Sequence, residues 1–208
     1  MAIITASTGD SVTSIAHDKG FFWETIWNHS ENSDLKNKRK DPNIILPGDE
    51  VFVPDLETKK ENRPNEARHK FKRKGVPATL KLRLTRLDEP RANEPYTLII
   101  DGELFTGKTD GDGQFEHPIP PNARSAILKL QEGKEEYAIT IGGLDPFDSP
   151  TGVQQRLNNL GFAPGDIGGD LESPDTVEAI KNFQKKYDLD VTGIADDATK
   201  KKIDEIHV

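Results

Sequence analysis

The stretch SPTGVQQRLNNLGF at residues 149–162, with SPDTVEAIKNFQKKYDLDVTG at 173–193 and ADDAT at 195–199, decides how the chain is read. Ser149-Pro150 is a cap followed by a first-turn proline, a position where the missing N–H would have no helical partner. Val153, Leu157 and Leu160 then recur at helical spacing until Gly161 stops the helix. The same punctuation returns at Ser173-Pro174-Asp175, ahead of one stripe made by Val177, Ala179, Ile180 and Phe183, and again at Asp196-Asp197, ahead of Ile203 and Ile206. The spacing predicts three short helices joined by tight connections at 161–165 and 189–193, a unit spanning 147–208.

Upstream the period changes from helical to two. Residues 79–84 alternate strictly, and 96–100, 125–130 and 137–141 read as three further strands with turn signals between them. They predict a small antiparallel β-sandwich over 76–146. Asp110-Gly111-Asp112-Gly113 has the look of a calcium loop, but a loop of that kind starting at Asp110 needs Glu where Pro121 stands, so the segment reads as a hairpin turn. Residues 55–75 carry many Lys and Arg with few apolar side chains and read as a charged basic linker.

The first 54 residues read as strand, helix, helix, strand. A weakly alternating start at 2–6 is followed by a helix with Val12, Ile15 and Ala16 inward, a second helix carrying Trp23, Ile26 and Trp27, a polar insertion at 31–42, a turn at 43–50 and a closing strand at 51–54. Trp23 and Trp27 have the chemistry of sugar-stacking platforms, yet tryptophans one turn apart on a helix are more often core. The fold class is therefore multidomain α+β.

Composition bounds what such a chain can do. The 208 residues are 33% hydrophobic and 31% charged, so each core is small. A formal charge of -8 disfavours a nucleic-acid partner, which needs a basic footprint, and also adhesion to anionic lipid. There is no cysteine, hence no disulfide, thiolate metal site or Cys/His amidase. No apolar run is long enough for membrane insertion, and the opening residues lack the form of a secretory signal. His17, His29, His69, His117 and His207 are scattered without a close pair. The expectation is a protein with no catalysis, no metal and no cofactor.

The quoted C-terminal motifs resemble the three-helix peptidoglycan-binding module attached to many cell-wall enzymes. The resemblance makes Gly161, Asp166, Gly168, Gly169, Gln184 and Gly193 the ligand candidates, with Leu157, Leu160, Phe162 and Phe183 left to the core. Where such modules usually carry an Asp-Gly-x-Phe-Gly loop, this chain has Ile167-Gly168-Gly169-Asp170-Leu171-Glu172. GDSVTSIA at 9–16, TIWNHSEN at 25–32 and ILPGDEVFVP at 45–54 resemble a LysM domain, a βααβ module that recognises N-acetylglucosamine polymers. That resemblance implies a groove between Gly9, Asp10, Ser11 and Val12 on one side and Asn43, Ile44, Ile45, Leu46, Pro47 and Gly48 on the other. Pro95-Tyr96, Asp101-Gly102, the segment 107–113 and Ile119-Pro120 resemble a transthyretin-like β-domain, in which 107–113 is a hairpin.

The three modules in this order, joined by GLDPFDSPTGVQQRLNNLGF, resemble small proteins encoded beside the spike proteins of type VI secretion systems. The resemblance implies a non-catalytic peptidoglycan-binding accessory protein, made in the cytoplasm and delivered to the periplasm or outside by a contractile machine. Its implied partners are wall glycan or stem peptide and a spike or effector protein. Two alternatives stay open: an adaptor that binds the spike or effector with no carbohydrate affinity, and a wall-binding component of a phage tail or lysis system.

Overall fold

A computed structural model describes every residue except 58–61, 63, 65, 69–77 and 208. The basic linker expected over 55–75 lies largely outside the described residues. The described residues form three hydrophobic cores, each drawn from its own segment of the chain.

In the first unit β1 (Ala2–Thr5) pairs antiparallel with β2 (Glu50–Val53), in the register Ala2↔Val53 to Thr5↔Glu50. Alternation turns Val51 and Val53 inward and leaves Ile3 and Phe52 opposite one another on the outer face. Between the strands run α1 (Val12–Lys19) and α2 (Trp23–Trp27). Ser11 opens α1 with a reciprocal capping box to Ser14, and Gly20 closes it in the left-handed region. Trp27 is buried in the core and Trp23 packs against it, so the tryptophans are structural.

The polar insertion expected over 31–42 is instead folded. It holds a 3-10 turn, Ser30–Asn32, and a third helix, α3 (Ser33–Arg39). The unit is therefore strand, three helices, strand, which corrects the βααβ expectation. Leu35 anchors α3 in the core, and its C-terminal Lys36, Lys38 and Arg39 face the negative end of the helix dipole. Asn32, only 2% exposed, donates from Nδ2 to Ile26 O (2.8 Å) and Phe52 O (2.9 Å) and accepts from Phe52 N at 2.8 Å. One amide thus pairs the free edge of β2 in place of a third strand.

The middle segment holds β3 (Ala78–Arg83), a small β4–β5 ladder (Thr85–Arg86 with Glu89–Pro90), β6 (Pro95–Ile100), β7 (Glu103–Lys108), β8 (Gln114–Ile119), β9 (Ser125–Leu130) and β10 (Glu135–Thr140). One antiparallel sheet has the order β10-β9-β6-β7, and β3 pairs with β8 in a second. Both face one core: Leu98, Ile100, Leu128 and Leu130 from the first, Phe115 and Ile119 from the second, with Tyr96 stacked on Phe115 at 4.1 Å.

This pairing corrects the reading of 107–113. The segment is not a hairpin between paired strands, because β7 belongs to one sheet and β8 to the other. It is a crossing, shaped by Asp110, whose Oδ1 accepts from Asp112 N (2.9 Å) and Gln114 N (2.8 Å). Thr109, 2% exposed, pins the crossing by donating to Arg91 O and accepting from Glu94 N at 2.8 Å.

The last unit contains α4 (Pro150–Asn159), α5 (Pro174–Lys186) and α6 (Asp197–Ile206), each opened where the sequence punctuates it, by Ser149, Ser173 and Asp196. Val153, Leu157, Ile180, Phe183 and Ile203 are almost wholly buried between them, each contributing about 1.5–3 kcal/mol by leaving water. A Cβ on Gly152 would lie 2.0 Å from Pro146 O, so the first turn of α4 accepts only glycine against the 145–146 connector. Among the described residues no helix is long and apolar enough to cross a membrane.

Candidate functional site

In the first unit the two loops expected to flank a groove do lie side by side. Val12 N donates to Pro42 O at 2.8 Å, and Thr13 Oγ1 donates to Asn43 Oδ1 at 2.7 Å. Several of the expected contact residues are nevertheless engaged internally. Ser11 is the buried cap of α1, and Val12 (0% exposed) and Ile45 (6%) are core. These three are corrected from ligand contacts to framework. Gly48 N donates to Ala6 O at 2.9 Å, tying the second loop to the end of β1. Asn43, Pro47 and Gly48 stay exposed and Ile44 and Leu46 half-buried, so of the two expected lips the 43–48 side is the open one.

The other lip meets the middle segment. Asp10 Oδ1 accepts from Arg124 Nη2 at 2.6 Å, and a Cβ on Gly142 would lie 2.9 Å from Gly9 O. Beneath the second loop, Asp49 takes Arg39 in a bidentate pair (2.6 and 2.9 Å) and accepts from Leu46 N at 2.8 Å. Burial pushes the Asp49 carboxyl up, but the Arg39 hydrogen bonds, the Leu46 N–H and the nearby positive charge outweigh it and hold the group below its ordinary value.

In the last unit Gln184 is fully buried in α5. Its Nε2 reaches Thr192 Oγ1 (3.1 Å), Ile194 O (3.0 Å) and Thr199 Oγ1 (3.0 Å), and its Oε1 accepts from Thr192 N and Gly193 N, both at 2.9 Å. It holds the α5–α6 connection and has no capacity left for a ligand, a correction to the sequence-based expectation. Gly193 is buried too, and a Cβ there would lie 2.8 Å from Lys181 and 3.0 Å from Val177.

Gln154 repeats the device in α4. Its Nε2 donates to Asp166 O (3.1 Å), Asp170 O (3.0 Å) and Thr176 Oγ1 (2.9 Å), and its Oε1 accepts from Gly169 N at 2.7 Å. In each case a glutamine on one helix grips the following loop by its backbone and a threonine in the first turn of the next helix. Residues 149–162 were read for their apolar positions, and Gln154 was missed. Its place beside Val153 and one turn before Leu157 was the available signal.

Residues 150–203 match the family model "Putative peptidoglycan binding domain". No curated protein and no solved structure matches the chain.

Within this peptidoglycan-binding domain the exposed candidates that remain are Gly161, Asp166 and Gly168, with Gly169 half-buried. The Asp166 carboxylate has no hydrogen-bond partner among the described residues, and exposed Ile167 stands beside it. Phe162 lies half-buried against Phe183, ring centroids 5.4 Å apart, with the Lys186 ammonium 5.5 Å above it. Lys186 also pairs with Asp88 of the middle segment.

Sequence reasoning also missed Arg156, the largest fully buried side chain among the described residues. It donates from Nη1 to Asp145 O (2.7 Å) and Gly152 O (3.0 Å), while its Nε lies 3.6 Å from Asp204 Oδ1 without a hydrogen bond. Burial lowers its pKa against the pull of Asp204, Asp145, Asp148 and Asp41. It joins α4, α6 and the connector from the middle segment. Nothing in the apolar pattern of α4 distinguishes such an arginine from a surface one.

Proposed function

We propose that the chain is a non-catalytic peptidoglycan-binding accessory protein that uses its C-terminal domain, and a LysM-like first unit, to hold bacterial wall material. The match of residues 150–203 to a peptidoglycan-binding family carries the reading. The exposed 166–168 segment supplies a carboxylate, a backbone without side-chain cover and an apolar side chain, a set suited to wall peptide or amino sugar. In the first unit the open 43–48 lip sets the half-buried Ile44 and Leu46 beside the exposed Asn43, and with the N–H groups of Asn43, Ile44, Leu46 and Gly48 bonded internally it suits the methyl end of an acetamido group. Two weak sites in one chain gain from effective concentration, because the second contact is intramolecular.

The same proposal includes delivery by a contractile secretion apparatus and association with its spike or effector. Its support is the order of the three modules in the sequence. The absence of catalysis is part of the proposal and is supported by the separation of His17 and His29, in the first unit, from His117 in the middle segment and His207 in the last unit.

The test is retention of the purified full-length protein on sacculi, beside a protein carrying Asp166→Ala and Gly168→Val. The expected result is retention that the paired substitution weakens by about tenfold, the scale of one lost polar contact set. Absence of retention overturns the wall reading. A second reading, a protein adaptor without carbohydrate affinity, is favoured by one observation: Asp10 on the first lip is already paired with Arg124. Co-purification with a spike protein that survives lysozyme treatment supports it.

A further inference from the structure

The folded insertion creates a cleft that meets the groove described above only at Gly48. It has a volume of about 440 Å³ and lies between α3 and the outer face of the β1–β2 ladder. Ile3, Leu35 and Phe52 supply its apolar lining, and Ile3 is 66% exposed although it sits directly across from Phe52.

Its polar lining divides in two. Asn32 and Asp49 are satisfied internally, by the edge of β2 and by Arg39, and Lys38 turns its ammonium toward Asp49 at 3.5 Å. Glu31, Asp34 and Glu50 line the same cleft, are exposed, and have no side-chain hydrogen bond or ion pair among the described residues. Three unpaired carboxylates around an apolar lining repel phosphates and other anions and attract a cation that carries hydrocarbon with it.

Resting on the wall reading, this names the ligand chemistry. We infer that the cleft takes the diamino-acid side chain of a peptidoglycan stem peptide, an aliphatic chain ended by a free ammonium. The methylenes lie on Ile3, Leu35 and Phe52, and the ammonium reaches the carboxylates, as an amphipathic cationic side chain does on any half-apolar surface. Each ion contact is exposed and worth little alone, so recognition needs the three together. The cleft then reads peptide, and residues 43–47 of the lip, beyond the shared Gly48, are left for sugar.

The test is calorimetric titration of the full-length protein with a synthetic lysine-containing stem tetrapeptide, the same peptide with its ε-amine acetylated, an unrelated lysine peptide, and chitotetraose. The free-amine stem peptide is expected to bind. Acetylation, or the combined change Glu31→Gln, Asp34→Asn, Glu50→Gln, is expected to weaken it about tenfold while chitotetraose binding is unchanged. These side chains make no internal bond, so the substituted protein keeps its circular dichroism spectrum. The inference is overturned if neither peptide binds, if the acetylated peptide binds equally, if the substituted protein is unaffected, or if the unrelated peptide binds as tightly. Retention of the native protein on sacculi, measured in parallel, shows whether the wall reading falls with it.

Discussion

Gln184 shows how a polar residue in a helix can be mistaken for a ligand contact. It stands one turn after Ile180 and beside Phe183, on the inward face, and every polar atom of its amide is bonded to the α5–α6 connection or to Thr199. Removing it leaves the Gly193 N–H and the Thr199 hydroxyl without their partner inside the protein, while Thr192 N–H keeps Asp190 O. Gln184→Ala is expected to destabilise the domain by about 3 kcal/mol, the sum of a cavity and of buried groups left unpaired. Amide hydrogen exchange at Gly193 reads the change directly, and it should accelerate far more than exchange at Leu157. Gln154→Ala should do the same to Gly169, the amide hydrogen it holds. An exchange pattern unchanged at either glycine would show that the glutamines are not what fixes the loops.

At the scale of elements, α3 is tied to the second loop by Arg39 and Asp49, whose side chains are only 10% and 6% exposed. The Asp49 carboxyl is held below its ordinary value in the folded chain. Its contribution is therefore complete above the unfolded carboxyl pKa of about 4 and is lost as pH falls through the lower folded value. Asp49→Asn is expected to cost about 3 kcal/mol at neutral pH, because Arg39 stays buried without its partner, and to flatten the acid limb of the stability profile. Both tryptophans of the chain, Trp23 and Trp27, lie in this unit, so their fluorescence isolates its unfolding from that of the rest.

The same scale shows what the sequence made legible. Helix starts at Ser149, Ser173 and Asp196 could be read because cap and first-turn proline chemistry is local. α3 could not, since Leu35 is its single buried apolar residue and its fixing bonds come from Asn32, Arg39 and Asp49 across space. β7 and β8 were hidden for a related reason: partners in different sheets leave no hairpin signature in the chain. In the candidate sites the turn residues could be placed on loops, while Ser11, Val12, Ile45, Gln184 and Gly193 were named for their place in a motif rather than their burial.

For the whole molecule, the salient contact is the ion pair between Asp10 and Arg124, which joins the middle segment to the loop that opens α1. Arg124→Ala is expected to leave folding intact, because the pair is partly exposed and worth at most about 1 kcal/mol. It should raise the affinity for chitotetraose by freeing Asp10, by about threefold, read by calorimetry on the full chain. An unchanged affinity would place the sugar contacts on the 43–48 side alone. The glutamine grips have a further consequence for how such a protein diversifies. Gln154 holds its loop through the carbonyls of Asp166 and Asp170 and the amide of Gly169, never through a loop side chain. The side chains at 166–168 are thus exchangeable without loss of loop shape, and lineages can rewrite what the domain recognises by point substitution while inheriting the scaffold unaltered.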